Sequence, residues 1–267
     1  MNRYLSPWIV FALTAACCFG CGKDNATPTV DRATEAAKDD DRVPESWIPK
    51  PKTEWPQIVL TNQAEFHGHS ALQGASGFLI RTDDDRVLAA TAAHLLGSAG
   101  GVEPPIPIDQ LTQKIQSWRM FPRTMPAAFV EVNSVGVQGL GRENLDWLIL
   151  SIKAAEQLPS HPLRLREEPV RIGETVYLIG CPYSQEDCTQ NVYRGVVMER
   201  AFGDLFRYDL DPPVDIRGFS GAPIIDEKGY VVGVMMVWFD PKMAGDNFLE
   251  AGGQDIASVY DLLHSAN

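Results

Sequence analysis

Basic residues are scarce in this 267-residue chain, where 23 Lys and Arg stand against 35 Asp and Glu for a formal charge of -12. A phosphate backbone is held by clustered Lys and Arg, so the deficit excludes nucleic acid as a partner. It excludes nothing about fold or chemistry, because net charge acts on solubility and encounter. The chain also lacks a repeat period and any long low-complexity tract, which leaves one globular domain with a modest appendage. Helical periodicity is rare. So is cysteine, with five residues in all.

The N-terminus is a separate object. Arg3 supplies a positive start, and Leu5 to Gly20 form an apolar run broken only by small residues, the pattern of an export signal. The run is slightly short for a ~30 Å hydrocarbon core, and Cys21, Gly22, Lys23 and Asp24 follow it directly. A small residue before Cys21 resembles the bacterial lipobox, with Cys18 and Phe19 in place of its usual Leu and Ala or Ser. Cys17, after Ala15 and Ala16, is a second candidate. Lipidation of Cys21 leaves only Cys181 and Cys188 in the mature chain, a pairable number in an oxidising compartment. The other reading of that pair is two free thiols. Residues 22–54 are rich in Asp, Glu, Lys, Thr, Ala and Pro, with a charge run from Lys38 to Arg42. They bury too little apolar surface to order themselves and read as a disordered tether; the alternative is that part of them straps onto the domain. Together these features imply a lipid-anchored protein of the bacterial cell envelope, on its periplasmic or extracellular face.

From Trp55 to Asn267 the pattern changes to short period-two apolar runs punctuated by Gly, Pro, Asn and Asp. Strands are predicted over Gln57 to Thr61, Ser76 to Arg81, Arg86 to Thr91, Ala128 to Asn133, Trp147 to Ile152, Thr175 to Gly180, Tyr193 to Glu199, Ala222 to Asp226 and Tyr230 to Val237. Many strands at close intervals predict an all-β sandwich or barrel. Only Asp109 to Trp118 and Ala257 to His264 space apolar residues as a helix does. The first reads as an insertion in a connecting loop.

Three segments carry chemistry: Thr91-Ala92-Ala93-His94, Asn144-Leu145-Asp146-Trp147-Leu148-Ile149-Leu150, and Gly218-Phe219-Ser220-Gly221-Ala222-Pro223. They resemble, in order, the T-A-A-H, D-[IL]-A-[LV]-[LI] and G-[DN]-S-G-G-P blocks of trypsin-like and HtrA-like serine peptidases. The similarity extends over most of residues 70 to 240, through Ser76 to Ile80, Gly173 to Gly180 and Gly229 to Val234. His94 precedes Asp146 by 52 residues and Asp146 precedes Ser220 by 74, the order and rough spacing of the chymotrypsin-type arrangement. The resemblance implies a chymotrypsin-like double six-stranded β-barrel with a C-terminal helix, and a serine endopeptidase. A serine hydroxyl needs a base to take its proton, so His94 is expected as that base and Asp146 as the group that orients it. The amides of Gly218 and Ser220 are expected to form the oxyanion hole.

Two residues depart from the family pattern. Phe219 stands where trypsins carry the Asp that receives a freed N-terminus, so activation by that cleavage is not expected. Ala222 replaces a Gly, adding a methyl group that narrows the cleft or alters the loop. Counted back from Ser220 as in that family, the resemblance implies Val214 at the base of the primary pocket, with Met236, Val237 and Trp238 along its wall. An apolar substrate side chain fits there, whereas a one-residue shift to Asp215 turns the pocket toward basic ones.

Other readings are weaker. Ser220 followed by Asp240 or Asp255 and His264 has the α/β-hydrolase order, but Pro223 and the run from Ile224 to Val237 read as a hairpin where a nucleophile elbow needs a helix. His67 and His69 have no further ligands nearby, and no metal or cofactor is implied. A silent chymotrypsin-fold module that binds a peptide or protein is the rival from another class. Little chain remains for the PDZ domain that HtrA-like proteins append, so none is expected.

Overall fold

The computed structural model describes residues 42–137, 140, 145–201, 204–239 and 249–264. Cys17, Cys21, the export signal and most of the predicted tether lie outside them, as does Asp240.

Alternation along the strands produces the architecture. In β1 (Leu60–Phe66), β2 (Leu72–Arg81) and β3 (Val87–Ala92) successive side chains face opposite sides. In β2, Leu79 enters one core while Phe78 and Ile80 enter another. The same split separates Leu148 and Leu150 from Trp147 and Ile149 in the strand Trp147–Ile152. That is why these strands read as unbroken apolar runs: both of their faces are buried.

Helix α1 (Ile108–Lys114) leads into β4 (Ile115–Phe121), followed by β5 (Val130–Val135), β6 (Trp147–Ile152) and the two-residue β7 (Leu163–Arg164). The hydrogen-bonded order is β1-β4-β5-β6-β3-β2, closed into a barrel by β1 pairing with β2, and β7 adds in parallel to β2. The second barrel takes β8 (Thr175–Gly180), β9 (Asn191–Ala201), β10 (Leu205–Asp211), β11 (Pro223–Asp226), β12 (Val231–Phe239) and β13 (Leu249–Asp255), in the order β10-β13-β12-β11-β8-β9. Helix α2 (Ala257–His264) follows, with Val259 and Leu263 buried in the core between the barrels. This is the expected chymotrypsin-like double barrel.

The expected helix over Asp109 to Trp118 is corrected. It stops at Lys114, and Ile115–Phe121 is a strand paired with both β1 and β5. Trp118 and Met120 are buried while Gln116, Ser117 and Arg119 are exposed. The segment is part of the first barrel wall rather than a loop insertion. The hydrolase reading also ends here, because the segment after Ser220 is strand β11 and not a helix.

The packed unit begins at Arg42, ahead of the expected boundary at Trp55. Trp47 is 5% exposed and meets Trp55 edge-on at 4.9 Å. Glu45 donates its backbone N–H to the Lys228 carbonyl, and Arg42 pairs with Asp226 at 2.8 Å. Two tryptophans and these bonds supply the burial that the composition of 22–54 as a whole does not.

Candidate active site

Strand register assembles the first half of the site. Ala92 at the end of β3 lies opposite Trp147 at the start of β6, so the residues just beyond them, 93–94 and 146, meet although 52 positions separate His94 from Asp146. The chain leaves β3 in a tight turn over Ala93–Leu96, anchored by buried Leu95 and Leu96. Asp146 then engages His94 twice: Oδ1 accepts the His94 backbone N–H at 2.8 Å, and Oδ2 lies 2.7 Å from ring Nδ1. The Asp146 carbonyl accepts the Ala93 N–H at 2.6 Å, and its own N–H goes to the side-chain oxygen of buried Gln254 at 2.5 Å. A carboxylate held from both sides leaves the imidazole little rotational freedom, with Nε2 facing away from Asp146.

Ser220 lies in the loop between β10 and β11, stapled to β12 by Gly221 N–H to the Met235 carbonyl and Met235 N–H to that of Ala222. Phe219 is fully buried in the second barrel, edge-on to Tyr193 at 5.5 Å. Ala222 is buried in the same core, so its methyl group faces away from the cleft and does not narrow it.

The loop aims two amides. The Arg217 carbonyl accepts the Tyr183 N–H at 3.0 Å, and the Phe219 carbonyl accepts the Ala222 N–H at 2.7 Å. In a trans peptide the N–H points opposite the C=O, so the N–H groups of Gly218 and Ser220 are turned away from those partners. Among the described residues neither amide has an acceptor. Gly218 has φ +99, and a Cβ there would lie 2.9 Å from the Tyr183 nitrogen. Only glycine fits.

His94, Asp146, Gly218 and Ser220 all open onto one cleft of about 600 Å³. The imidazole and the Ser220 hydroxyl are not hydrogen-bonded to each other. Of the expected pocket residues, Met236 and Val237 line this cleft. Val214 does not: it packs against the core of the second barrel. The Asp215 carboxylate accepts the Arg217 backbone N–H at 3.1 Å, which tightens the turn and presents Ile216 and Arg217 to the cleft instead. Trp238 belongs to β12, but its side chain lies outside the described residues. Asp215 is held in a two-pronged pair by Arg217 at 2.6 and 2.8 Å, which keeps its carboxyl below its ordinary range.

Tyr183, Leu205, Ile216 and Arg217 line the cleft without having been singled out. Ile216 and Arg217 lie within four residues of Ser220, which is the signal that could have found them. Tyr183 sits on the loop closed by the Cys181–Cys188 disulfide, whose Cα atoms are 5.9 Å apart. His67 is exposed and the His69 ring bonds the Pro104 carbonyl at 2.6 Å; among the described residues no group of metal-ligating side chains forms.

A sequence profile of the trypsin-like peptidase domain matches residues 75–234, more than half of the chain. The chain belongs to the trypsin-like peptidase family. Membership makes it a serine endopeptidase, with proteins or peptides as substrates. Two solved structures show how far the trypsin-like fold is shared. The Rv3671c protease of M. tuberculosis in its active form is 20% identical, over 84% of this chain and 87% of that one, with a TM-score of 0.52. The serine endoprotease from Yersinia pestis is 17% identical, over 78% of this chain and 62% of that one, with a TM-score of 0.50. At such identities the likeness is one of fold. No curated protein matches the chain by sequence.

Proposed function

We propose that this trypsin-like peptidase cleaves peptide bonds through an acyl-enzyme on Ser220, with His94 and Asp146 completing the triad. The reading is carried by one observation: the Asp146-bound His94, Ser220 and Gly218 line a single cleft, and among the described residues the amides of Gly218 and Ser220 have no acceptor. Ser220 Oγ attacks the substrate carbonyl carbon while its proton passes to His94 Nε2, and the oxyanion takes the N–H groups of Gly218 and Ser220. His94 returns the proton to the leaving amine. Water then hydrolyses the ester by the same route in reverse roles. The Asp146 carboxylate stabilises the imidazolium.

Ile216, Met236 and Val237 make the wall near Ser220 apolar, and Arg217 occupies the Asp215 carboxylate. This favours an apolar side chain beside the scissile bond over a basic one. Lipidation at Cys21 places the enzyme in the bacterial envelope, acting on envelope or extracellular proteins; a Cys181–Cys188 disulfide suits that oxidising setting.

Cleavage-site profiling of the full chain in detergent, with Ser220→Ala as control, tests the activity. Cuts after apolar residues that vanish in the variant are expected, and equal cutting by both forms overturns the reading. Loss of a fatty-acid label on Cys21→Ser but not on Cys17→Ser tests the anchor; the opposite pattern moves it to Cys17.

A further inference from the structure

The loop that carries Ser220 belongs to the second barrel, yet two of its carbonyls are held by one residue of the first. Ser76 of β2 donates its hydroxyl to the Gly218 carbonyl at 2.9 Å and its backbone N–H to the Ser220 carbonyl at 2.8 Å. Ser76 is itself braced from behind. Its carbonyl accepts the Thr91 hydroxyl at 2.7 Å and the Asn62 amide at 3.0 Å, and Trp118 donates its indole N–H to Asn62 at 3.0 Å. All four side chains are buried, where a satisfied polar network is rigid and a broken one costly. Contact with the loop is close: a Cβ on Gly221, at φ +82, would lie 2.3 Å from the Ser76 carbonyl oxygen and 2.4 Å from Thr91 Oγ1.

We infer that Ser76 is a positioning residue for the oxyanion hole, a strut from the interior of the first barrel that fixes the peptides on either side of the Ser220 amide. The inference rests on the reading of Ser220 as nucleophile. The 219–220 peptide, which bears that amide, lies between the 218–219 and 220–221 peptides, and Ser76 holds the carbonyls of both. Gly218 accepts positive φ as readily as negative, so without the Ser76 hydroxyl the 218–219 peptide is held only through its other end, by the Phe219 N–H to the Ile216 carbonyl at 3.2 Å. Tyr183 alone then orients the Gly218 N–H. The oxyanion donors loosen while the cleft walls that bind the ground state stay in place.

The experiment measures peptide hydrolysis and the rate of inactivation by a fluorophosphonate in wild type and Ser76→Ala, beside thermal unfolding of both. A fall of about 10- to 100-fold in kcat and in inactivation rate is expected, with KM unchanged, since misplaced donors weaken the transition state and not substrate binding. Wild-type rates in a folded Ser76→Ala protein, or a loss confined to KM, overturn the inference. Should Ser76→Ala not fold, the shape-conserving Thr91→Val removes the brace one bond further back. A lower kcat at unchanged KM then supports the strut, and an unchanged kcat overturns it. A wild-type protein that takes no label overturns the nucleophile reading and this inference together, whereas equal labelling of wild type and Ser76→Ala sinks the strut alone.

Discussion

Replacing Asp146 by Asn keeps the outline of the side chain and removes one acceptor. In the structure both oxygens are used, Oδ1 by the His94 backbone N–H at 2.8 Å and Oδ2 by ring Nδ1 at 2.7 Å. An amide offers one acceptor and one donor group. If its oxygen keeps the backbone N–H, its NH2 faces Nδ1, which must then be the unprotonated nitrogen. The ring proton moves to Nε2 and blocks transfer from Ser220. If the oxygen keeps Nδ1–H instead, the NH2 opposes a backbone N–H, at a cost of ~1–3 kcal/mol for the unsatisfied donor. The first arrangement costs less, so the wrong tautomer prevails. The expected loss is about 10⁴-fold in kcat, near 5 kcal/mol of transition-state stabilisation, with KM unchanged. Steady-state kinetics on a chromogenic peptide, with circular dichroism to check the fold, make the measurement. A folded Asp146→Asn protein with kcat within tenfold of wild type refutes the reasoning.

Three further outcomes follow from packing and charge. Trp47→Ala removes a buried ring from the segment ahead of Trp55 and should lower stability by ~3–5 kcal/mol in urea unfolding; a disordered tether would show no change. Replacing Cys181 and Cys188 together by Ser opens a seven-residue separation and should cost about 2–3 kcal/mol by loop entropy, with a fall in kcat because Tyr183 orients the Gly218 amide from that loop; unchanged stability and kcat would contradict both parts. Burial raises the Asp255 carboxyl from 3.8 to about 6, against the opposing pull of the Ala257 and Val170 amides and Arg200. Its folded value is the higher one, so between pH 4 and 6 the unfolded chain loses its proton first and stability falls as pH rises. The contribution is complete below 3.8 and lost above about 6, on the order of 3 kcal/mol. Asp255→Asn should flatten that part of the stability profile measured by urea unfolding at stepped pH, and an identical slope in the variant would exclude Asp255 as its source.

Strands whose side chains alternate between two cores were legible from the sequence: β6, β8 and helix α2 lie at the bounds expected for them. Strand β4 was misread because Leu111, Ile115 and Trp118 are spaced as on a helix, while the pairing with β1 that decides the matter is long-range. Strand β13 gave no signal, since Ala251, Gly252 and Gly253 have little strand preference. Glycine is required there by a contact no local pattern shows: a Cβ on Gly253 would lie 2.6 Å from Phe206 Cζ. The same limit governs the site. His94, Asp146, Gly218 and Ser220 stand in recognisable words, and the fold brings them to one cleft. Val214 was misplaced because the turn made by Asp215 and Arg217 is a side-chain effect. The link from Ser76 to the Ser220 loop spans 142 positions and becomes visible only when both barrels are folded.

Peptide-bond cleavage by the proposed route requires that Ser220 be acylated with help from His94. Rapid mixing of the wild-type protein with excess p-nitrophenyl ester, quenched in acid and mapped by mass spectrometry, tests this directly. A burst of p-nitrophenol matching the enzyme concentration, with the acyl group on the Ser220 peptide and no burst from His94→Ala, is the predicted result. Release of p-nitrophenol with no burst and no acyl group on Ser220, or with the group on another residue, would contradict it.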